Sequence, residues 1–125
     1  MPQFNEVKDS GERVTFKTGM MRDTQEGKPR FDLLLPEGIP FDQQFLTRCA
    51  QHLTNGAKKY SQRNWELART PEELDRYKAS AFRHLVQWLN GEADEDHAAA
   101  VFFNLMGAEF VKWHLANAAA RREAA

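Results

Sequence analysis

The sequence predicts an all-α protein, a small bundle of about three main helices that follows a long, partly ordered N-terminal arm. Three observations predict this fold. Beyond residue 41, apolar residues recur at helical spacing in three stretches. One of these stretches opens with a complete capping box. Residues 1–40 contain several glycines and prolines and show no helical period. We therefore expect an arm over residues 1–40 that docks on the body, and a helical domain over residues 41–125.

The composition fits one soluble domain. The 125 residues include 17 Lys and Arg and 18 Asp and Glu, for a net charge of −1. No overall charge therefore attracts nucleic acid or a membrane surface. The single Cys49 cannot form an internal disulfide, and no apolar run has the length of a signal peptide or a membrane span. We expect a cytoplasmic protein that binds neither nucleic acid nor membranes.

Within the arm, the segment GKPRFDLLLP at residues 27–36 is the best candidate for an ordered piece. Residues 14–16 are the only strand-like stretch and are too short to carry a sheet alone. The apolar side chains at 31 and 33–35 can dock the segment on a helical body and so fix the positions of Lys28 and Arg30. The alternative is a solvated loop with unrelated charges.

The first helix is expected to begin at Asp42 as its N-cap, with Phe41 and Leu46 forming a hydrophobic staple. Apolar residues at helical spacing give this helix one buried face. They are Phe45, Leu46, Cys49, Ala50 and Leu53. Asn55 and Gly56 then weaken the helix.

The segment NGAKKYSQRNW follows, and its residues 58–65 are called the basic-aromatic segment below. Cations alternate there with Tyr60 and Trp65, a pattern that suits a nucleotide. Ammonium and guanidinium groups such as Lys59 and Arg63 can bind phosphate oxygens while an aromatic ring stacks on a base. The alternative is that the aromatic rings pack on the body while the cations stay in water.

The second helix has the clearest start signal, because Thr70, Pro71 and Glu73 form a capping box. It is expected to run from Pro71 to about Asn90 and to stop at Gly91. Its predicted buried stripe consists of Leu74, Tyr77, Ala81, Phe82, Leu85, Trp88 and Leu89. A further residue, His84, lies at the edge of this stripe, where a histidine is more often packed and hydrogen-bonded than a metal ligand.

The third helix is expected to begin in the DED run at residues 94–96, with Asp94 or Asp96 as its cap, and to reach about residue 120. It is apolar on nearly all sides over residues 98–108, which predicts the central, most buried helix. A second apolar stripe on it cannot be covered by three helices alone. We therefore predict self-association, as a dimer or tetramer.

The turn between the last two helices gathers four acids, at positions 92 and 94–96. Glu92 and Asp96 flank the turn and could hold Mg²⁺ or Mn²⁺, which prefer hard oxygen ligands. His84 or Asp94 would then accept a proton from water that attacks a phosphate. The alternative is plain helix capping, which explains residues 94–96 well. It does not explain Glu92, which lies where the helix dipole disfavours a negative charge.

Four blocks of this chain, GKPRFDLLLP, NGAKKYSQRNW, AFRHLVQWLNGE and DEDHAAAVFFN, occur in this order over about residues 20–115. Together they resemble a family of small bacteriophage proteins described as dATP/dGTP pyrophosphohydrolase domains. That family is usually described as related to the MazG-like, all-α nucleotide pyrophosphohydrolases. In those enzymes acidic helix motifs form the metal site, and the functional form is an oligomeric helical bundle. The positions that match are Lys28, Arg30, Asp32, Gly56, Lys59, Tyr60, Arg63, Asn64, Trp65, Arg83, His84, Glu92, Asp96, His97 and Asn104.

The resemblance implies a metal-assisted reaction in which a purine dNTP and water give dNMP and pyrophosphate. In this reading Glu92 and Asp96 bind the metal, and His84 or Asp94 accepts the proton. The expected substrate-binding residues are Lys28, Arg30, Lys59, Tyr60, Arg63, Asn64, Trp65, Arg83, His97 and Asn104. The chain departs from the MazG-like pattern in having no EExxE motif, because its only Glu-Glu pair, at residues 72–73, belongs to the capping box. A non-catalytic protein that binds and sequesters a nucleotide or cyclic nucleotide against host defence is the alternative.

Overall fold

The computed structural model of the chain describes residues 6–124. The chain divides into two compact units, Met1–Leu34 and Leu35–Ala125. The first five residues of the expected arm lie outside the described range. The second unit carries the helices, and the expected all-α bundle of three main helices is confirmed.

The N-terminal unit contains a small antiparallel hairpin. Strand β1 spans Arg13–Thr15 and pairs with strand β2, Met21–Asp23. The connecting turn is closed by a hydrogen bond from the backbone N–H of Gly19 to the carbonyl of Phe16, at 2.9 Å. Gly19 has a φ of 89°, which favours glycine. The second strand was not predicted, because residues 21–23 show no apolar alternation.

Helix α1 spans Phe45–Lys59, and a short 3₁₀ turn at Phe41–Gln43 precedes it. The prediction that Asp42 caps this helix is wrong. Asp42 lies within the 3₁₀ turn, and the cap position belongs to Gln44, whose side chain makes no capping hydrogen bond. The extended backbone of Gln44 separates the two helical pieces.

Asn55 and Gly56 do not end α1, which continues through them to Lys59. Two side-chain hydrogen bonds accompany this last part of the helix. Gln51 Nε2 donates to Asn55 Oδ1 at 2.9 Å, and Thr54 Oγ1 donates to the carbonyl of residue 50 at 2.9 Å. The low helix propensity of Gly56, a cost of about 1 kcal/mol, is therefore insufficient to stop the helix.

Helix α2 spans Pro71–Leu89, and both of its predicted end signals are confirmed. At its start, Thr70 and Glu73 form a reciprocal capping box. At its end, Gly91 adopts a left-handed conformation with a φ of 75°. The backbone N–H groups of Gly91 and Glu92 donate to the carbonyls of residues 88 and 87, which is the Schellman arrangement.

Helix α3 spans His97–Ala124 and packs on both α1 and α2, so it is the central helix, as predicted. Asp96 is its cap, because its Oδ1 accepts a hydrogen bond from the backbone N–H of Ala99 at 3.1 Å. Small residues dominate the buried positions of the core. They are Cys49, Ala68, Ala81, Ala99, Ala100, Ala108 and Val111. Short side chains bring the helices close together.

The predicted buried stripe of α2 is partly wrong. Ala81 is buried, but Phe82 is 70% exposed, Trp88 is 53% exposed and Leu89 is 68% exposed. The side of α2 that is buried instead includes His84, whose ring pairs with His97 of α3. Part of the predicted apolar stripe thus faces outwards, and a polar pair lies between the two helices.

Among the helices described here, none combines the length and the apolar character that a membrane span requires.

Candidate functional site

A cleft of about 1060 Å³ opens between the C-terminal half of α1, the basic-aromatic segment, α2 and α3. Four cationic side chains line it: Lys59, Arg63, Arg76 and Arg83. Glu73 is the one acidic residue among the described residues that line it, and its carboxylate is occupied by the capping box of α2. The cleft therefore has an excess of positive charge, which suits a polyphosphate.

The two aromatic residues of the basic-aromatic segment have different environments. The Trp65 ring lies edge-on to Phe110 and Phe103, with ring centroids 5.1 Å and 6.5 Å away. Tyr60 is 65% exposed at the edge of the cleft, and the ammonium of Lys59 lies 5.1 Å from its ring centroid. Of the two rings, Tyr60 is the more exposed to a planar ligand.

Arg63 and Asn64 lie where the chain turns from α1 towards α2. Arg63 has left-handed backbone angles with a φ of 59°, and Asn64 begins a short 3₁₀ turn over Asn64–Leu67. The guanidinium of Arg63 is exposed and donates to Glu66 Oε1 at 2.6 Å. On α3, Asn104 also lines the cleft, but its Nδ2 donates to the carbonyl of Ala100 at 2.8 Å. Its Oδ1 remains available as an acceptor.

A buried pair of histidines lies where α2 meets the start of α3. The Nδ1 atoms of His84 and His97 are 2.9 Å apart, and the residues are 7% and 2% exposed. His97 Nε2 lies 2.7 Å from Asp94 Oδ1. This hydrogen bond holds the pKa of the Asp94 carboxyl below its usual value. Three expected site residues, His84, Asp94 and His97, are thus brought into one hydrogen-bonded chain.

Glu95 is a fourth member of this cluster. Its Oε1 lies 3.6 Å from His84 Nδ1, and its side chain is 53% exposed. One ligand atom each from His84, Glu95 and His97 can be chosen so that all three lie within 4.8 Å of one another. These three residues form the group in the described part of the chain that could hold a metal ion.

His84 connects the cluster with the cleft, because it also lines the cleft wall. Burial lowers the pKa of its imidazole below the ordinary value, and the nearby positive charge of Arg83 lowers it further. At neutral pH the ring is therefore neutral and keeps one nitrogen lone pair for a proton or a ligand.

The Asp96 carboxylate binds Arg48 and is not part of the histidine cluster. Arg48 of α1 binds it in a bidentate pair, with Nε 2.8 Å from Oδ2 and Nη2 2.8 Å from Oδ1. The guanidinium holds the pKa of the Asp96 carboxyl below its usual value. Oδ1 also caps α3. A metal at Asp96 would have to displace Arg48, and that predicted role gains no support from the geometry.

The position of Glu92 has a backbone explanation. Its N–H closes the Schellman motif at the end of α2, with the carbonyl of Gln87 3.1 Å away. Its predicted role as a metal ligand stays a prediction. Lys28 and Arg30 belong to the N-terminal unit, where Lys28 Nζ lies 3.8 Å from Asp23 and Arg30 pairs with Asp32. Their predicted phosphate contacts also stay predictions.

The cleft and the histidine cluster both lie within a match to a known protein family. Residues 18–121 match the family model described as dATP/dGTP diphosphohydrolase, N-terminal. The chain belongs to this family. No curated protein and no solved structure matches it. The family match covers α1, α2 and most of α3, so every helical residue that lines the cleft falls inside it.

The sequence analysis did not predict four residues that lie at the site. Arg76 and His52 line the cleft, Glu95 joins the histidine cluster, and Arg48 holds Asp96. Arg76 precedes Arg83 by seven residues, two helical turns, so the sequence places both on the polar side of the second helix, although it assigns a ligand role only to Arg83. Nothing in the sequence pairs Arg48 with Asp96 across 48 positions.

Proposed function

We propose that this chain hydrolyses a purine deoxynucleoside triphosphate, dATP or dGTP, to the monophosphate and pyrophosphate. The observation that carries the proposal is the cationic cleft next to the buried histidine cluster, in a chain whose family is described by dATP/dGTP diphosphohydrolase activity. His84 belongs to both places, so a triphosphate in the cleft would have a reacting phosphorus beside a group that can take a proton.

In this proposal the cations of the cleft bind the triphosphate. Arg76 and Arg83 project from α2, and Lys59 and Arg63 come from the opposite wall. Guanidinium groups can form two parallel hydrogen bonds with phosphate oxygens, which orients the phosphates as well as binding them. Arg63 exchanges its surface contact with Glu66 for the phosphate.

The base is proposed to stack on Tyr60, which is exposed at the cleft edge. Trp65 also lines the cleft, and its contacts with Phe103 and Phe110 hold it in the cleft wall, so it is the second candidate for the stacking surface. Oδ1 of Asn104 is an acceptor for an exocyclic amino group or a ribose hydroxyl. Asn64 lies on the same wall and can serve likewise.

The reaction is proposed to use Mg²⁺ or Mn²⁺, which when bound neutralises phosphate charge and lowers the pKa of water. The chain's own residues would position the reacting atoms. His84 or Asp94 is the proposed proton acceptor. The Asp94 carboxylate is hydrogen-bonded to His97 Nε2. A proton that His84 accepts and passes to His97 would therefore end near this exposed carboxylate.

The experiment that tests the proposal is incubation of the protein with dATP, dGTP or ATP and Mn²⁺, with separation of the nucleotide products and assay of pyrophosphate. The expected products are dNMP and pyrophosphate in equal amounts. Formation of dNDP with orthophosphate would contradict the proposed bond cleavage. Substrate binding should be measured in parallel, so that failure to bind and failure to turn over are separate results.

Arg83→Ala tests the phosphate contact, and Lys112→Ala is its matched control. Each hydrogen bond to a charged group contributes about 1.5–3 kcal/mol, so loss of Arg83 should weaken nucleotide binding roughly tenfold to a hundredfold. Lys112 is exposed on α3 and lies outside the cleft lining. Its loss should leave binding unchanged. Equal binding by both variants would refute the phosphate assignment.

The alternative function is capture of a nucleotide or cyclic nucleotide without turnover. It is favoured by the commitment of Asp96 to Arg48, because the cationic cleft and Tyr60 need no metal to bind a nucleotide. Tight binding of a nucleotide with no product in the presence of Mn²⁺ would establish this alternative in place of hydrolysis.

We also propose that a second copy of the chain covers the outer face of α2. Phe82, Leu85, Val86 and Leu89 follow helical spacing there and form one exposed apolar stripe without a charged member. In a twofold dimer the same patch lies on both sides of the interface, and an uncharged stripe is complementary to itself.

A further inference from the structure

The Nδ1 atoms of the buried residues His84 and His97 face one another, and the positions of the ring protons decide whether they form a hydrogen bond. The two Nδ1 atoms are 2.9 Å apart, and each neutral imidazole carries one proton and one lone pair. A direct hydrogen bond requires one ring to donate its Nδ1 proton to the other. If both rings instead carry their proton on Nε2, two lone pairs face the same point.

Asp94 fixes the role of one nitrogen of His97. His97 Nε2 lies 2.7 Å from Asp94 Oδ1, and because a carboxylate accepts hydrogen bonds, Nε2 is the donor of this contact. His97 Nδ1 then faces His84 Nδ1, where it can accept a hydrogen bond from His84 or bind an ion together with it. A carboxylate that accepts the N–H of one ring nitrogen while the other nitrogen binds an ion is the usual outer support of metal-binding histidines.

The distances between the three potential ligand atoms agree with a metal centre. Ligands about 2.1 Å from one ion are about 3.0 Å apart at a right angle and about 3.4 Å apart in a tetrahedron. The observed separations are 2.9 Å between the two histidine nitrogens and 3.6 Å between His84 Nδ1 and Glu95 Oε1. Both separations fit one ion, and one potential ligand atom from each of the three residues lies within 4.8 Å of the other two.

We propose that His84 Nδ1, His97 Nδ1 and the Glu95 carboxylate bind one divalent transition-metal ion, with Asp94 orienting His97. Two imidazoles and one carboxylate select Mn²⁺, Fe²⁺, Co²⁺, Ni²⁺ or Zn²⁺ over Mg²⁺, which prefers oxygen ligands throughout. The two histidines are buried while Glu95 is half exposed, so the open side of the ion would face solvent. Those positions can take water or a phosphate oxygen.

This assignment differs from the metal site expected from the acidic turn. Asp96 stays with Arg48. With the ion bound, the lone pair of His84 is used and Asp94 supports His97, so in that state neither residue accepts a proton directly from water and the acceptor roles proposed above apply only to the chain without the ion. The assignment deepens the proposed hydrolysis, and any role of the ion in catalysis rests on that proposed function. Metal binding itself does not.

The test is titration of the metal-depleted full chain with Co²⁺, followed by visible absorption and calorimetry, together with a parallel titration with Mg²⁺. The expected result is one Co²⁺ per chain, with new visible bands and a higher melting temperature, and at least roughly tenfold weaker Mg²⁺ binding. Absence of Co²⁺ binding at one site per chain would overturn the proposal.

Variants identify the ligands. Glu95→Gln changes an exposed side chain, so folding should be retained, and it should weaken Co²⁺ binding roughly tenfold to a hundredfold. His97→Gln should abolish the visible bands. Asp94→Asn should also weaken binding roughly tenfold or more, because the outer support is lost. Native-like binding in both Glu95→Gln and His97→Gln would show that the ion is elsewhere and would overturn the assignment.

His114→Gln is the matched control, because His114 lies on α3 against Phe110 and Trp113 and away from the cluster. Its Co²⁺ binding should equal that of the native chain. The two proposals fail separately. Stoichiometric Co²⁺ binding without nucleotide turnover would leave the metal site standing and remove the hydrolase proposal. Nucleotide turnover by a chain that binds no Co²⁺ at this site would remove the metal site and leave the hydrolase proposal standing.

Discussion

A Cβ atom placed on Gly107 would lie 2.5 Å from Cε1 of Tyr77, so α2 and α3 approach one another closely only because position 107 has no side chain. The Tyr77 ring is half-buried at this crossing and also lies edge-on to Phe103. The Tyr77 hydroxyl is also bonded to the carbonyl of Trp65, so the ring cannot move away from an added methyl group without losing this hydrogen bond.

Gly107→Ala should therefore destabilise the protein despite the better helix propensity of alanine. Overpacking of this kind costs about 1–3 kcal/mol, and urea denaturation followed by circular dichroism measures it. Gly56→Ala is the matched control, because Gly56 also lies inside a helix and nothing lies within 4 Å of its added Cβ. It should stabilise the protein by about 0.5–1 kcal/mol. Equal stability of the two variants would contradict the close crossing.

Tyr77→Phe should remove a single hydrogen bond and keep the ring. The Tyr77 hydroxyl donates to the backbone carbonyl of Trp65 at 3.0 Å and so ties the cleft wall to α2. Burial raises the pKa of this hydroxyl, so it remains a donor at neutral pH. We expect a loss of about 0.5–1.5 kcal/mol in the free energy of unfolding. Tyr60→Phe, at an exposed hydroxyl, should have no comparable effect.

Arg48 and Asp96 should show a positive coupling energy in a double-mutant cycle. Arg48→Met and Asp96→Asn each remove the charge pair, while Asn retains an acceptor for the cap of α3. Both side chains are about a third or more exposed, so the expected coupling is only about 0.5–1 kcal/mol. The exposed Lys112–Glu109 pair provides the comparison, with about 0.2–0.5 kcal/mol expected. Additive single-variant effects at Arg48 and Asp96 would count against the pair.

Glu73→Gln should reduce the loss of stability in acid. The backbone N–H of Arg69 and the hydroxyl of Thr70 hold the pKa of the Glu73 carboxyl below its usual value. A carboxyl with a lowered folded pKa contributes stability above its unfolded pKa and loses it as the pH falls through the folded value. Melting temperatures of the native chain and Glu73→Gln should differ most at pH 7 and converge in acid. Glu72→Gln is the control, and a pH-independent gap for Glu73→Gln would contradict the carboxylate contacts.

Leu89→Glu should disrupt the proposed assembly of two copies. A charge introduced into the self-complementary apolar stripe would be buried against the apolar stripe of the partner copy without a counter-charge. Sedimentation equilibrium should give a smaller average mass for Leu89→Glu than for the native chain. Leu67→Glu, at a residue that is also exposed but lies outside the stripe, should assemble normally. A monomeric native chain would refute the stripe as an interface.

The sequence could predict those features whose determinants lie a few residues apart. The capping box of α2 involves Thr70 and Glu73, and the stop at Gly91 needs only the residues around it. Each was therefore found from spacing alone. The start of α1 was not, because Asp42 has the right chemistry for a cap but lies in a separate 3₁₀ turn. Local propensity cannot distinguish those two outcomes.

The sequence predicted several residues of the candidate site but not the contacts between them. His84, Asp94 and His97 were all named from the sequence, whereas their hydrogen-bonded order depends on how α2 and α3 cross. The buried side of α2 also includes His84 and differs in part from the face that its apolar residues predicted. Asp96 was assigned to a metal because Arg48, its actual partner, lies on another helix. Contacts between distant positions decide such roles.

The position of Asp96 has a consequence for the dynamics of the bundle. Its carboxylate caps α3 and binds Arg48 of α1 one residue before His97. One carboxylate thus links the stability of the first turn of α3 to the position of α1. We therefore predict that Asp96→Ala, which removes both contacts, speeds the exchange of backbone amides with deuterated solvent in the first turn of α3 and around Arg48 together.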